Sequence, residues 1–154
     1  MAANEYQVTA HRVDAAGSAA RCKDAEIVLD TALPGRADAF NPAELLLAAI
    51  AACMIKGIER VTPMLKFRFD GVAVRLVGRR QDAPPKMTGV EYELWVETDE
   101  PDRRLHLLHH NVRNFSTIFN TVLAACPLVG TIHRGVPPWR DTAAPGADSR
   151  QAEA

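Results

Sequence analysis

Charged side chains disappear between Leu45 and Cys53, where the chain reads Leu-Leu-Leu-Ala-Ala-Ile-Ala-Ala-Cys. Asn41 and Pro42 stand just before this run. Asn is a favoured N-cap and Pro suits a first helical turn, so the pattern predicts a helix starting there. It should continue to Arg60 or Val61 and stop at Pro63, with Gly57 tolerated inside at a cost of about 1 kcal/mol relative to Ala. A helix apolar on every side is normally buried at the centre of a structure.

The flanking segments alternate instead. Residues 5–30 read as two or three short strands broken at Gly17, with Ile27-Val28-Leu29 as one of them. Residues 31–40, with Pro34, Gly35 and Asp38, read as a loop. From Lys66 to Arg80 the positions Phe67, Phe69, Val72, Val74 and Leu76 predict a strand with Gly71 as a bulge. Asp82-Ala-Pro-Pro-Lys86 predicts a turn. From Gly89 to Thr98, Val90, Tyr92, Leu94 and Val96 face one way and Glu91, Glu93, Trp95 and Glu97 the other, the period of a half-buried antiparallel strand. Asp99 is placed to cap a second helix, with Leu105, Leu108, Val112 and Phe115 as its apolar stripe. Helix restarts at Ser116 or Thr117 toward Ala125, and Val129–His133 predicts a last short strand. From Pro137 to Ala154 the composition predicts a disordered tail.

Strands and helices are therefore segregated along the chain. That order predicts an α+β fold with mainly antiparallel sheets around a buried central helix, in one domain over residues 1–136. One sheet covers one face of such a helix. Ala48, Ala49, Ala51 and Ala52 would let a second copy approach closely, so a homodimer is expected.

Composition adds exclusions. With 154 residues, 47% hydrophobic and 24% charged, the balance is that of an ordinary globular domain. The formal net charge of −1 supplies no electrostatic reason to expect nucleic acid or an anionic membrane as partner. The N-terminus lacks a basic region followed by an apolar stretch, and the apolar run is shorter than the ~20 residues that span a bilayer. Three cysteines without a CxxC pair argue against a disulfide framework or a cysteine-rich zinc site. A cytoplasmic, reducing environment is the expectation.

The candidate chemistry rests on thiols. Cys53 is either an inert core cysteine of an Ala-rich helix or a placed nucleophile. Cys126 reads as packing at a helix end or as a second reactive thiol, and Cys22 as structural. Glu44 reads as an acidic first-turn residue favoured by the helix dipole. His106, His109 and His110 share a helix face, which suits either metal or solvent, but no HExxH pattern or carboxylate accompanies them. No phosphate loop or Ser/His/Asp signature is present.

The run Asn41-Pro-Ala-Glu-Leu-Leu-Leu-Ala-Ala-Ile-Ala-Ala-Cys53 resembles the active-site helix of the OsmC/Ohr family of peroxide-reducing proteins. Ile27-Val-Leu-Asp30, Asp82-Ala-Pro-Pro-Lys-Met87 and Asn114-Phe-Ser-Thr117 are similar to that family as well, so the likeness covers roughly residues 20–133. The resemblance implies an intertwined α+β homodimer. It also implies a first cysteine that attacks a hydroperoxide, a second that closes a disulfide with it, and an arginine and a glutamate that organise the first thiolate. Regeneration would come from an external dithiol, with no bound cofactor and no metal.

On this resemblance Cys53 matches the first cysteine. The family's glutamate follows Asn-Pro directly, a position held here by Ala43. The nearby Glu44 is nine residues from Cys53, ~900° around an ideal helix, and so points the other way. Two alignments compete for the second cysteine. One uses Cys126-Pro-Leu-Val; the other keeps the usual spacing from Asp99 and puts Ser116 there, which cannot form a disulfide. Arg12, Arg21 and Arg36 are the candidates for the arginine. Leu46, Ile50, Phe115 and Ser116 would line a pocket for a small organic hydroperoxide or another apolar small molecule. Two functions follow: thiol-dependent reduction of organic hydroperoxides, or a non-catalytic small-molecule-binding or scaffold member of the same fold.

Overall fold

The computed structural model describes residues 4–140; of the tail predicted over 137–154, residues 141–154 lie outside the described residues. Its elements are β1 (Thr9–Asp14), β2 (Gly17–Cys22), β3 (Ala25–Leu29), α1 (Pro42–Leu65), β4 (Gly71–Asp82), β5 (Pro85–Glu97), α2 (Asp102–Phe115), α3 (Thr117–Leu123) and β6 (Leu128–Arg134). The fold is α+β, with two three-stranded sheets ordered β1-β2-β3 and β4-β5-β6. The backbone groups into two compact units, residues 1–49 and 50–154, and α1 runs across the division.

In the first unit the three strands form an antiparallel meander with Thr9 opposite Arg21 and Ser18 opposite Leu29. Asp30 then organises the loop that leads to α1. Its buried carboxylate accepts the N–H groups of Ala32 at 3.2 Å and Arg36 at 3.1 Å, and its own N–H donates to Phe40 O at 2.9 Å. Arg36 grips Asp38 through Nε and Nη2 at 2.6 and 2.8 Å. Helix α1 begins in a reciprocal capping box. Glu44 N–H donates to Asn41 Oδ1 at 2.9 Å, and Asn41 N–H donates to Glu44 Oε2 at 2.8 Å. Two backbone donors that the helix leaves without partners are thereby satisfied.

Helix α1 does not stop before Pro63. It continues to Leu65 with Pro63 inside its last turn. A proline lacks the N–H that would bond Glu59 O, but Glu59 is exposed and water can serve that carbonyl. The helix ends instead where Lys66 turns to φ 49°, with Phe67 N–H closing back on Thr62 O at 2.9 Å. Arg104 of α2 supplies the cationic cap, donating from Nη2 to Leu65 O at 2.8 Å and Lys66 O at 3.0 Å. The carboxylate of Glu100 takes Arg104 Nε at 2.5 Å, and that hydrogen bond holds the Glu100 carboxyl below its ordinary range.

Two further boundaries differ from the pattern. Phe67 and Phe69 precede the strand, which starts at Gly71; the bulge lies at Arg79/Arg80 opposite Thr88. Helix α2 starts at Asp102 with Pro101 as N-cap, not at Asp99, because Glu100 is committed to the Arg104 and Arg68 contacts. Within this chain α1 is also not covered on every side. Ile50, Met54, Gly57, Ile58, Val61 and Thr62 are buried, whereas Ala49, Ala52 and Ile55 are exposed. At the C-terminal end Arg140 N–H bonds Pro137 O at 3.1 Å, closing a turn.

The core of the second unit joins that stripe to Leu105, Leu108 and Val112 of α2, Phe119 of α3, and Val90, Leu94, Val96 and Leu128 of the sheet. Strand β4 pairs antiparallel with β5, and β6 pairs parallel with β5, with Tyr92 opposite Gly130. A Cβ at Gly130 would clash with the backbone carbonyl oxygen of Tyr92 as well as with its Cγ. The absent side chain is what lets the Tyr92 ring lie across β6, edge-on to Phe119 at 5.9 Å between centroids. Gly130→Ala should therefore destabilise the protein by about 2–3 kcal/mol, read as a lower denaturant midpoint at unchanged slope. A midpoint equal to the parent's would show that β6 can shift away from β5 at no cost.

Candidate functional site

Cys53 lies on α1 one helical turn before Gly57, on the face that meets α2 and α3. The approach there is close. A Cβ at Gly57 would stand 3.0 Å from Ser116 Oγ and 3.3 Å from Val112 Cγ1. Ser116 is fully buried at the break between α2 and α3, with extended backbone at φ −91° and ψ 107°. Its hydroxyl donates back to Val112 O. The break leaves the first N–H groups of α3 without helical partners, and one of them finds a thiol. Ile118 N–H donates to Cys53 Sγ at 3.4 Å. The thiol itself is half-buried.

The other candidate residues divide clearly. Leu46, Ile50 and Cys53 fall on one side of α1 by helical period, with Ile50 fully buried and Leu46 half-buried. Phe115 ends α2 with 47% of its surface exposed. The carboxylate of Glu44 is occupied by the Asn41 cap. Arg21 is paired with Glu26 and Arg36 with Asp38. Cys126 is buried beyond the far end of α3, its N–H bonded to Val122 O at 3.0 Å. From Ile118 to Cys126 the chain follows helical turns, roughly 12 Å along the axis. Cys53 and Cys126 thus sit off opposite ends of α3, both as free thiols, and a disulfide needs Cα atoms within ~7 Å.

The Ile118 N–H had no marker of its own, although a helix restart at Ser116 or Thr117 implies unpartnered donors just there. A second constellation, on the outer side of α2, was only partly visible as a histidine face. His106, His109, His110 and Arg113 recur at helical spacing and line a cleft of about 370 Å³ with α3. Tyr92 Oη and His109 Nε2 are 2.6 Å apart. Burial pushes the Tyr92 phenol up, so it stays protonated and donates. Burial also takes His109 down from 6.5 to about 4, reinforced by Arg113, His106 and His110. Among the described residues no group of three metal-binding side chains converges, and no helix is long and apolar enough to cross a membrane.

A protein-family model described as OsmC-like protein matches residues 35–137. Among solved structures, an OsmC-like protein from Mycoplasma pneumoniae superposes with a TM-score of 0.78 at 16% identity, over 86% of this chain and 99% of that one. An organic hydroperoxide resistance protein OsmC from Legionella pneumophila gives 0.69 at 20% identity, over 86% and 98%. The organic hydroperoxide resistance protein OhrB of Bacillus subtilis gives 0.62 at 18%, over 84% and 98%. At these identities the superpositions establish the fold. No functionally curated protein matches the chain by sequence.

Two outcomes follow from this geometry. Gly57→Val drives methyl groups into Val112 and Ser116. It should cost about 1–3 kcal/mol and separate α1 from α3, which alkylation of Cys53 would register as a changed rate; stability and rate both at parent values would contradict the close approach. The depressed His109 value means that the folded state binds its proton less readily than the unfolded state. Stability from this group is complete above about 6.5 and lost as pH falls toward about 4. Solvent contact screens the loss to about 1–2 kcal/mol, and His109→Gln should flatten that part of the pH profile in chemical denaturation.

Proposed function

Because the chain belongs to the OsmC-like family, we propose that it is a redox protein that reduces organic hydroperoxides, with Cys53 as the attacking nucleophile. The hydrogen bond from Ile118 N–H to Cys53 Sγ carries this reading, because it brings a backbone donor to the sulfur at the position that matches the family's first cysteine. The Cys53 sulfur attacks the outer oxygen of R–O–O–H. The O–O bond breaks, RO⁻ leaves and takes a proton to become the alcohol, and Cys53 becomes a sulfenic acid. Ser116 contributes no thiol, and Cys126 lies off the other end of α3. Resolution therefore falls to an external dithiol. Its first sulfur displaces water from the sulfenic acid, and its second expels Cys53 as the thiol and leaves as a disulfide. Two structural relatives named for organic hydroperoxide resistance support the substrate class.

The half-covered helix supports a homodimeric form. Ala52 and Ile55 of α1 are open in the single chain, and a second copy packed on them would close an apolar pocket near Ile50 and Phe115. Sedimentation of a stable monomer at micromolar concentration would remove this part. The other reading, a small-molecule-binding or scaffold protein without turnover, draws on two observations. The Glu44 carboxylate is spent on a helix cap, and the Ser116 hydroxyl on a backbone carbonyl.

Consumption of an aryl alkyl hydroperoxide with a lipoyl-type dithiol as reductant separates the two. Cys53→Ser should abolish turnover, and Cys126→Ser should retain most of it. Undiminished turnover without Cys53 would refute the assignment, and loss of turnover in the Cys126 variant would restore a two-cysteine cycle. A parent protein that binds the hydroperoxide without consuming it would establish the binding reading.

A further inference from the structure

The cleft between α2 and α3 is separate from the Cys53 contact and plays no part in the peroxide chemistry above. Its lining combines Arg113 with three imidazoles and the carboxamides of Asn114 and Asn120, and contains no carboxylate. The acidic residues at the start of α2 are already engaged, Glu100 with Arg104 and Asp102 with Arg134. Arg113 differs from those two arginines. Among the described residues no ion pair or hydrogen bond engages its guanidinium, which lies over the Phe119 ring at 5.4 Å from the centroid. Stacking of this kind holds the planar group in place and leaves its N–H edge free.

The imidazoles are set by their neighbours. Tyr92 donates to His109 Nε2, which places the proton of that neutral ring on Nδ1. Asn114 Nδ2 lies 3.0 Å from His110 Nε2. Asn120 Nδ2 donates to Asn114 O at 3.1 Å, tying the two walls of the cleft together. His106 is exposed at the mouth. One side is apolar: Phe119 and, half open to solvent, Leu123. A fixed guanidinium fork, further N–H donors and an apolar wall in one concavity match an oxyanion attached to a small hydrophobic body. The volume of about 370 Å³ falls in the range of small-molecule sites.

We propose that this cleft is a binding site for a small organic anion. The Arg113 guanidinium takes two oxygens of its carboxylate or phosphate head, and Phe119 and Leu123 pack against its apolar part. Cys53 does not line this cleft, so ligand binding there does not require its thiol.

The test is titration of the ¹⁵N-labelled full chain with phenyl phosphate, followed by amide chemical shifts. Saturable shifts confined to residues 106–123, with a dissociation constant of about 1 mM or tighter, are expected. Inorganic phosphate should bind at least about fivefold more weakly, because it lacks the apolar body. Arg113→Gln should weaken phenyl phosphate at least about tenfold, and Arg113→Lys, which keeps the charge and loses the fork, should fall between. Cys53→Ser should bind like the parent. Absence of saturation by about 10 mM, shifts centred elsewhere, or equal affinity in both Arg113 variants would overturn the proposal. If Arg113→Gln proves unfolded, the Arg113→Lys affinity decides: parent-like binding rejects the bidentate contact.

Discussion

The close crossing of α1 with the α2–α3 break is the contact on which the rest depends. At Gly57 there is no side chain, and Ser116 and Val112 fill the space that one would occupy. A larger residue would hold the two elements apart. With glycine, the first turn of α3 comes near enough to α1 for Ile118 N–H to reach Cys53 Sγ. The conformational cost of a mid-helix glycine, about 1 kcal/mol, is thus offset by an approach that a helix of better formers would forbid. The buried Ser116 fits the same crossing, because its hydroxyl can fold back on Val112 O and needs no outside partner.

Around this crossing the second unit is secured at two further places. Arg104 joins the last carbonyls of α1 to the Glu100 turn that precedes α2. Tyr92 fills the gap left by Gly130 and reaches His109 on α2. Both ties involve a polar group whose charge state is controlled: Glu100 is kept ionised by its guanidinium partner, and His109 is kept neutral by burial. The same Tyr92–His109 bond that anchors α2 to the sheet fixes the tautomer in the outer cleft. Packing and ligand recognition on that side of the molecule consequently share one hydrogen bond.

Much of this was legible in the sequence where the period was strong. The alternation from Val90 to Val96 marked the buried face of β5 residue for residue, the Asn41 cap marked the start of α1, and the restart at Ser116 marked α3. The family likeness of residues 41–53 agreed with the α+β order. The failures lie where a tertiary contact overrode a local rule. Pro63 reads as a stop, yet its missing hydrogen bond falls on a solvent-facing carbonyl, so the helix runs on to Leu65. Asp99 is a good cap by type, but the Glu100 carboxylate is drawn to Arg104 and Arg68, and α2 starts later. Phe67 and Phe69 have strand spacing, yet Phe67 closes the end of α1 and stacks on Arg104 at 5.8 Å. The donor to Cys53 was visible only indirectly, through the helix restart at Ser116 or Thr117, because it is a backbone group and has no residue type.

The Cys53–Ile118 pair also has a direction in time. The two partners are separated by 65 residues, and synthesis proceeds at about 5–20 residues per second. For several seconds, then, Cys53 leaves the ribosome on a helix whose sulfur has no donor. Among the described residues β6 is the last strand, and it pairs parallel with β5 across α2 and α3, so the segment carrying Ile118 is locked down only after residues 128–134 have been made. A chain that ends before Ile118 lacks this donor altogether. The contact at the sulfur is completed from a segment far along the polypeptide.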